Sequence, residues 1–255
     1  MILLGIGFTT RRLAKRLLAR GDIVYGVART PERFADLKSI GLRVTGFSAA
    51  ADLPKHSTLV HSIPPLAENE WVHSFIEGLS PRRMIYISAT SVYGNRVEVD
   101  ETTAPEPSDE KSVARYREEE WLLTGSRSNL IIRPAAIYGP GRGVQEKVRE
   151  GKQPRGAASG VVSRIHADDL AAVLEAAARS ELRGAFPLAD DRPCGSEEVV
   201  NYCARLLGIE TRADSALTFT VAGRRVDGRK IRALLGVELL YPSYESGILA
   251  ACSRR

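Results

Sequence analysis

Short apolar runs alternate along this chain with longer stretches whose apolar residues recur three and four positions apart, a pattern that predicts strands and amphipathic helices in turn. The first run, residues 2–4, enters a turn at Gly5 and Gly7. Leu13, Leu17 and Leu18 then mark a helix starting near Phe8, and residues 23–28 form a second run. Thr30 followed by Pro31 has the pattern of an N-cap with proline at the first helical position, opening a helix to about Ser39. Residues 43–47 predict a third strand, and a fourth runs from Thr58 until Pro64 and Pro65 stop it. A helix over 68–79, a strand over 84–90, a loop rich in Pro, Glu and Thr over 95–107, a charged helix over 109–123 and a strand over 130–133 follow. Beyond Pro140 the pattern loosens. It gives a helix over 142–150, a Gly/Ala/Ser-rich loop over 156–160, a strand through Ile165, a helix over 167–179, a strand over 184–189 and a helix over 197–207.

Such alternation predicts an α/β fold, a doubly wound and mainly parallel sheet with its ligand at the carboxyl ends of the strands. The opening strand, glycine turn, helix and second strand supply the setting that a dinucleotide-binding fingerprint requires, which makes this a Rossmann fold. Gly5 permits the tight turn, and Gly7 lets backbone approach a pyrophosphate. The helix starting at Phe8, Thr9 and Thr10 aims free N–H groups at that anion. Thr10 stands where the fingerprint has its third glycine, so the helix is expected slightly further from the strand, with the phosphate site retained. Residues 1–165 form the expected NAD(P)-binding domain. Residues 166–255 complete the sheet and build a small C-terminal lobe on the substrate side.

Composition narrows the function little. With 255 residues the chain can bury a full core as one large α/β unit. The net charge of +5 is mild, and the cluster Arg11, Arg12, Lys15, Arg16 and Arg20 is read as a solvated helix face because no nucleic-acid-binding motif accompanies it. Cys194, Cys203 and Cys252 lack metal-ligand spacing and suit a reducing compartment. No apolar run approaches the ~20 residues of a membrane span, and the first strand begins at Met1, so a cytoplasmic protein with no membrane or nucleic-acid partner is expected. A small-molecule substrate is the expected partner; a homodimer stays open.

Three further segments carry a resemblance. They are Tyr86-Ile-Ser-Ala-Thr-Ser-Val-Tyr-Gly94, Arg133-Pro-Ala-Ala-Ile-Tyr-Gly-Pro-Gly141 and Arg164-Ile-His-Ala-Asp-Asp-Leu170. In this order, after the glycine turn, they resemble the extended and atypical short-chain dehydrogenase/reductases, the NAD-dependent epimerase/dehydratase family. The resemblance implies a nicotinamide cofactor and an oxidoreductase or epimerase acting on a small polar or sugar-like substrate. It also implies structural roles for His166 and Asp168; Asp168 or Asp169 would cap the helix that follows. His61, Tyr93 and Tyr138 fall at strand ends, where they would wall a pocket.

The departures concern the chemistry. The family uses a Ser or Thr after the fifth strand and a Tyr and Lys four apart on the next helix, the lysine lowering the tyrosine pKa. Aligned on Val92-Tyr93-Gly94, Ala89 takes the hydroxyl position, flanked by Ser88 and Thr90. Aligned on Glu120-Trp121-Leu122, Ser112 takes the tyrosine position and Tyr116 the lysine position. Candidates for catalysis are therefore Tyr116, with Arg115 or Arg117 lowering its pKa, and Thr90 and Ser88; packing against the sheet is the alternative for Tyr116. A non-catalytic NAD(P)-binding redox sensor or partner-binding module is the rival reading.

The cofactor set comprises Gly5, Gly7, Phe8, Thr9 and Thr10, then Arg29 and Thr30 after the second strand, Ser62, Ile63 and Pro64 after the fourth, and Ser88 and Pro134. A carboxylate after the second strand would bind the 2′-hydroxyl of NAD. Arg29, with Thr30 and Arg33 nearby, matches a 2′-phosphate instead, which favours NADP over NAD.

Overall fold

Successive residues of a strand point to opposite faces of its sheet, and a parallel sheet covered by helices is apolar on both. In β1 (Ile2–Leu4), Leu3 packs into one core cluster while Ile2 and Leu4 pack into the other. The computed structural model, which describes residues 1–65, 70–124, 128–151, 160–209 and 223–253, extends this rule across β2 (Tyr25–Val27), β3 (Arg43–Thr45), β4 (Thr58–His61) and β5 (Arg83–Ile87). After the two-residue β6 (Glu98–Val99) come β7 (Leu130–Pro134), β8 (Ala136–Tyr138), β9 (Val161–Val162), β10 (Arg164–His166), β11 (Gly184–Leu188), β12 (Cys194–Gly195) and β13 (Arg225–Val226). Seven strands form one sheet in the order β11-β7-β5-β4-β1-β2-β3, every pair parallel. The order reverses at β1, and a crevice opens there at the strands' carboxyl ends.

The helices are α1 (Phe8–Ala19), α2 (Ala35–Lys38), α3 (Glu70–Leu79), α4 (Glu110–Leu123), α5 (Val144–Arg149), α6 (Ala167–Ala178), α7 (Ser196–Leu207), α8 (Arg229–Leu235) and α9 (Tyr244–Ser253). On one face Leu13 and Leu17 of α1 meet Leu170, Val173 and Leu174 of α6. The basic face of α1 is tied to the same helix: Arg12 bonds Asp168 at 2.9 Å, and Arg16 and Arg20 grip the buried Glu175 at 2.8 and 2.9 Å. On the other face Val72 and Ile76 of α3 and Leu122 of α4 cover Leu59, Met84 and Ile131. No helix among the described residues is long and apolar enough to cross a membrane.

Several expected elements are reshaped by local geometry. The helix expected from Thr30 is a 3-10 turn, Pro31–Phe34, that breaks at Phe34 (φ −114°, ψ 31°) before α2; Thr30 is its N-cap by position, without a side-chain bond. The third strand ends at Thr45, and after Gly46 a second 3-10 segment, Phe47–Asp52, takes over. The helix expected over 142–150 shortens to α5, since Gly143 stands at φ +137°. Neither Asp168 nor Asp169 caps α6: the cap is His166, whose ring accepts from the Asp168 N–H at 3.2 Å. Most of the expected 156–160 loop, and the start of the helix expected over 68–79, lie outside the described residues.

Asp169 instead reaches the C-terminal segment. Its carboxylate is 2% exposed and accepts from the Leu240 and Tyr241 N–H groups at 2.8 and 3.0 Å. Tyr138 donates to the Ser243 carbonyl at 3.1 Å, and Asp191 N–H donates to that of Pro242 at 3.0 Å. Between these ties sits Asp190, just past β11. One of its carboxyl oxygens accepts from Arg192 N–H at 3.3 Å; the other has no hydrogen-bond partner among the described residues. Burial, aided by Asp191 and Asp169 and opposed by the Arg192 bond and Arg164, pushes its pKa from 3.8 to about 8.

The folded protein thus holds this proton up to about pH 8, while the unfolded chain releases it near 3.8. The folded state binds more protons throughout that window, so stability falls as pH rises through it. Asp190→Asn is expected to flatten that fall in urea-unfolding midpoints taken across the window. An unchanged slope would show that ionised Asp190 is accommodated at no cost.

Candidate functional site

The turn between β1 and α1 is built from its own backbone and two hydroxyls. Gly5 sits at φ +89°, a region costly for other residues, and its N–H donates to the Val27 carbonyl at 3.0 Å. A Cβ on Gly5 would come within 2.8 Å of Ser62 Oγ. That hydroxyl donates to the carbonyls of Gly5 and Leu4, at 3.0 and 3.2 Å, and so fastens the end of β4 to the turn. Thr10 is 1% exposed. Its hydroxyl donates to the Gly5 carbonyl at 2.9 Å and accepts from the Gly7 N–H at 2.8 Å, closing the turn from inside.

Gly7 has φ −105°, which any residue tolerates, yet a Cβ there would meet nothing within 4 Å. The open space lies at the start of α1, whose first N–H groups lack intrahelical partners and whose first turn carries no acid. An anion fits this position on both geometric and electrostatic grounds.

A cleft of about 620 Å³ opens over the turn. Gly5, Gly7, Ser62, Ile63 and Pro64 form one side; Arg29, Thr30 and Arg33 form the rim at the end of β2; Phe34, Phe47 and Trp71 close the far end. Arg29 and Arg33 are exposed, and neither pairs with a carboxylate among the described residues. Phe8, Thr9 and Thr10, in the first turn of α1, do not line this cleft, and Phe8 instead lines a separate one with Arg11, Arg12 and Pro140. Phe8 carries the Arg12 guanidinium over its ring at 3.9 Å, and Thr9 is buried.

A second cleft, of about 450 Å³, lies along the same sheet edge at the ends of β5 and β7. Thr90 and Pro134 line it with Ala89, Asn95, Ser163 and Arg224. Ser88 is buried, and its hydroxyl donates to Glu119 of α4. Glu119 is gripped by Arg133 at 2.6 Å, and Arg133 also donates to the Tyr93 hydroxyl at 3.0 Å. Ser112 is buried too: it completes a capping box with Asp109, donating to the Asp109 carbonyl at 2.9 Å and accepting from its N–H at 3.1 Å.

Tyr116 packs against the cluster of Val92, Tyr93, Val99 and Ala135 and lines neither cleft. Its pKa moves up, by burial first and by Glu120 second, and Arg115 and Arg117 do not bring it down. Nor do His61, Tyr93 and Tyr138 wall either cleft. His61 bonds Glu118 at 3.2 Å beneath β4, Tyr93 bonds Arg133, and Tyr138 bonds the C-terminal segment.

One residue of the second cleft carried no sequence signal. Arg224 enters from the segment before β13 and donates to the carbonyls of Thr90, Gly94 and, at 3.1 Å, Arg96. Burial holds its guanidinium below the ordinary value. The approach is close: a Cβ on Gly223 would fall 2.3 Å from the Gly160 Cα.

Comparison with known proteins gives the fold its context. No family profile matches the sequence. The chain is 30% identical over 166 residues to the 3-diazoavenalumate denitrifying reductase of a Streptomyces species, a match covering 57% of this chain and 54% of that protein; it thus spans about half the length of that relative. A functionally unknown conserved protein from Silicibacter pomeroyi superposes with TM-score 0.83 at 28% identity, covering 99% of this chain and 97% of the other. A Methylobacillus flagellatus protein described as an NAD-dependent epimerase/dehydratase gives 0.77 at 24%, over 100% and 98%. MoeE5 in complex with UDP-glucuronic acid and NAD gives 0.81 at 21%, over 99% and 98%. The chain has the fold of the NAD-dependent epimerase/dehydratases and related extended short-chain dehydrogenase/reductase enzymes.

Proposed function

We propose that this protein is an NADP-dependent reductase acting on a small polar substrate held in the cleft at the ends of β5 and β7. The observation that carries the reading is the cleft of about 620 Å³ over the glycine turn, with Arg29 and Arg33 on its lining and without a carboxylate partner among the described residues. The open space over Gly7 and the free amides of α1 suit a pyrophosphate. A guanidinium fork at Arg29, with the Thr30 hydroxyl beside it, suits a 2′-phosphate. A nicotinamide, when bound, supplies or accepts a hydride. MoeE5, with its UDP-sugar and NAD, supports a polar, sugar-like ligand beside such a cofactor.

The direction of the chemistry follows from what the side chains are already doing. Interconverting an alcohol and a ketone, as sugar epimerisation through a ketone requires, moves a proton with each hydride and needs a poised acid or base. Ser112 is spent on its cap, Ser88 donates to Glu119, and the Tyr116 phenol is packed and raised in pKa. Thr90 is the candidate that lines the substrate-side cleft. Such a site suits an electrophile completed by hydride alone. A diazonium carbon is one: hydride forms the new C–H bond, the C–N bond breaks, and its electron pair leaves with dinitrogen. The relative named as a diazo-compound reductase supports this direction. The same engagement of Ser112 and Tyr116 favours, as a second reading, an NADP-binding sensor without chemistry.

Consumption of NADPH against a panel of aryl diazonium acids, small carbonyl compounds and UDP-sugars separates these readings. Turnover with the diazonium class is expected, with Tyr116→Phe close to wild type. A fall of about 10²–10⁴ in Tyr116→Phe would instead make that phenol the proton carrier. Tight NADPH binding with no turnover across the panel would leave the sensor.

Gly7→Val should abolish NADPH binding in calorimetry while the melting temperature stays put, because its backbone is unstrained and its side chain would fill the anion position. Gly5→Ala should do the reverse first, lowering stability through the φ +89° strain and the Ser62 clash. Equal NADPH affinity in Gly7→Val and wild type would move the cofactor away from the turn.

Arg29→Asp should weaken NADPH by about 1.5–3 kcal/mol, the scale of a charge-assisted hydrogen bond, and raise relative NADH affinity. An unchanged NADPH/NADH ratio would mark Arg29 as a surface charge.

A further inference from the structure

Arginines around the second cleft are matched by acids, with one exception. Arg133 pairs with the buried Glu119, and Arg96 and Arg225 meet Glu106 and Glu98 at 2.8 and 3.6 Å. Arg224 is half-buried, yet its bonds among the described residues go to the carbonyls of Thr90, Gly94 and Arg96, one from each guanidinium nitrogen. Burial lowers its pKa, and the group that opposes this is the Tyr93 hydroxyl, not a carboxylate. Three bonds leave two of its five N–H donors, and its full positive charge, on a residue that lines the cleft. Arg224 is the one cation among the described lining residues. Asp109 also lines the cleft, but its carboxylate caps α4, accepting from the Lys111 and Ser112 N–H groups at 3.0 Å each. Ala89, Pro134, Ala135 and Val162 give the cleft apolar walls, and Ser91 and Asn95 add neutral polar groups.

We infer that the second cleft takes a small organic acid whose single carboxylate is held by Arg224. This rests on the reading of that cleft as the substrate site, and it adds the substrate's charge class and the residue that selects it. A half-buried cation without a counter-charge is costly, and an anionic ligand supplies the charge that the chain does not. A guanidinium fork matches a carboxylate in shape as well as in sign. The charge balance favours a monoanion: a phosphate dianion would bring a second negative charge to a lining that has one cation and already carries Asp109. Apolar walls around a space of about 450 Å³ suit a compact carbon body attached to that carboxylate. The three carbonyl bonds give the fork a fixed place, so the loop it anchors and the acid it selects depend on one side chain.

4-Hydroxybenzoate and 4-hydroxybenzamide differ in charge but hardly in shape. By calorimetry, wild type is expected to bind the acid about tenfold more tightly than the amide, the scale of one charge-assisted hydrogen bond. Arg224→Gln should remove that preference by weakening the acid and sparing the amide, and Arg224→Lys should keep part of it. Because Arg224 also anchors the 90–96 loop, the amide reports on the shape of the cleft. Equal losses for acid and amide in Arg224→Gln would make Arg224 an anchor only and overturn the proposal. Equal affinity for the two probes in wild type, or no binding of the acid, would overturn it too. NADPH consumption with the diazonium salts of 3-aminobenzoic acid and of its methyl ester tests the reductase reading separately. Turnover of both with the same KM would keep that reading and overturn the acid site. An acid preference lost in Arg224→Gln, with no turnover of either diazonium compound, would keep the acid site and overturn the reductase.

Discussion

The ion pair between Glu119 and Arg133 fixes the shape of the sheet edge at the ends of β5 and β7. Both residues are buried, one on α4 and one on β7, and neither could be removed from water alone without a penalty of several kcal/mol, typically more than Coulomb attraction returns unless the geometry is good. Here it is good: the guanidinium engages both carboxylate oxygens, and the remaining capacity of each group goes to Ser88 and Tyr93. Four elements, β5, the 3-10 turn after it (Thr90–Tyr93), α4 and β7, thus meet at one charge-balanced knot. That knot also explains why the edge is poor in proton carriers. The hydroxyl of Ser88 that a dehydrogenase could have used is committed to holding α4 in place.

At the other end of the crevice the governing constraint is space. The β1–α1 turn is closed by Thr10 and Ser62 from beneath, so the side facing the cleft is left to backbone. The Gly5 carbonyl is engaged by the two hydroxyls, and the position over Gly7 is open. The flanks of the cleft are formed by the exposed arginines after β2 and the aromatics after β3 and β4.

Much of the frame was legible because it rests on local periodicity. The helix expected over 167–179 is α6 to within a residue, and the strands at 2–4, 58–61 and 184–188 follow from apolar runs bounded by Gly or Pro. The boundaries that shifted did so where a backbone torsion decides, as at Phe34 and Gly143. The cap of α6 went to His166 because an imidazole nitrogen can accept as a carboxylate does, while Asp169 found two N–H donors seventy residues away. Long-range partners were beyond reach altogether. Nothing in Arg133-Pro or in the run Glu118-Glu119-Glu120 says that the first two acids face inward or which of them meets Arg133, and nothing near Gly223 says that Arg224 will cross to the 90–96 loop.

That crossing has a consequence for how the second cleft could change its lining. Among the described residues Arg224 holds its loop by three main-chain carbonyls and by no side chain. Ser91 and Asn95 can accordingly be exchanged without loosening the anchor, whereas Gly94 cannot, because a Cβ there would strike the Glu106 carbonyl oxygen at 2.0 Å. The loop is a mount whose grip is indifferent to the tool it carries, so new ligand selectivity can be tried at these positions while the scaffold stays as it is.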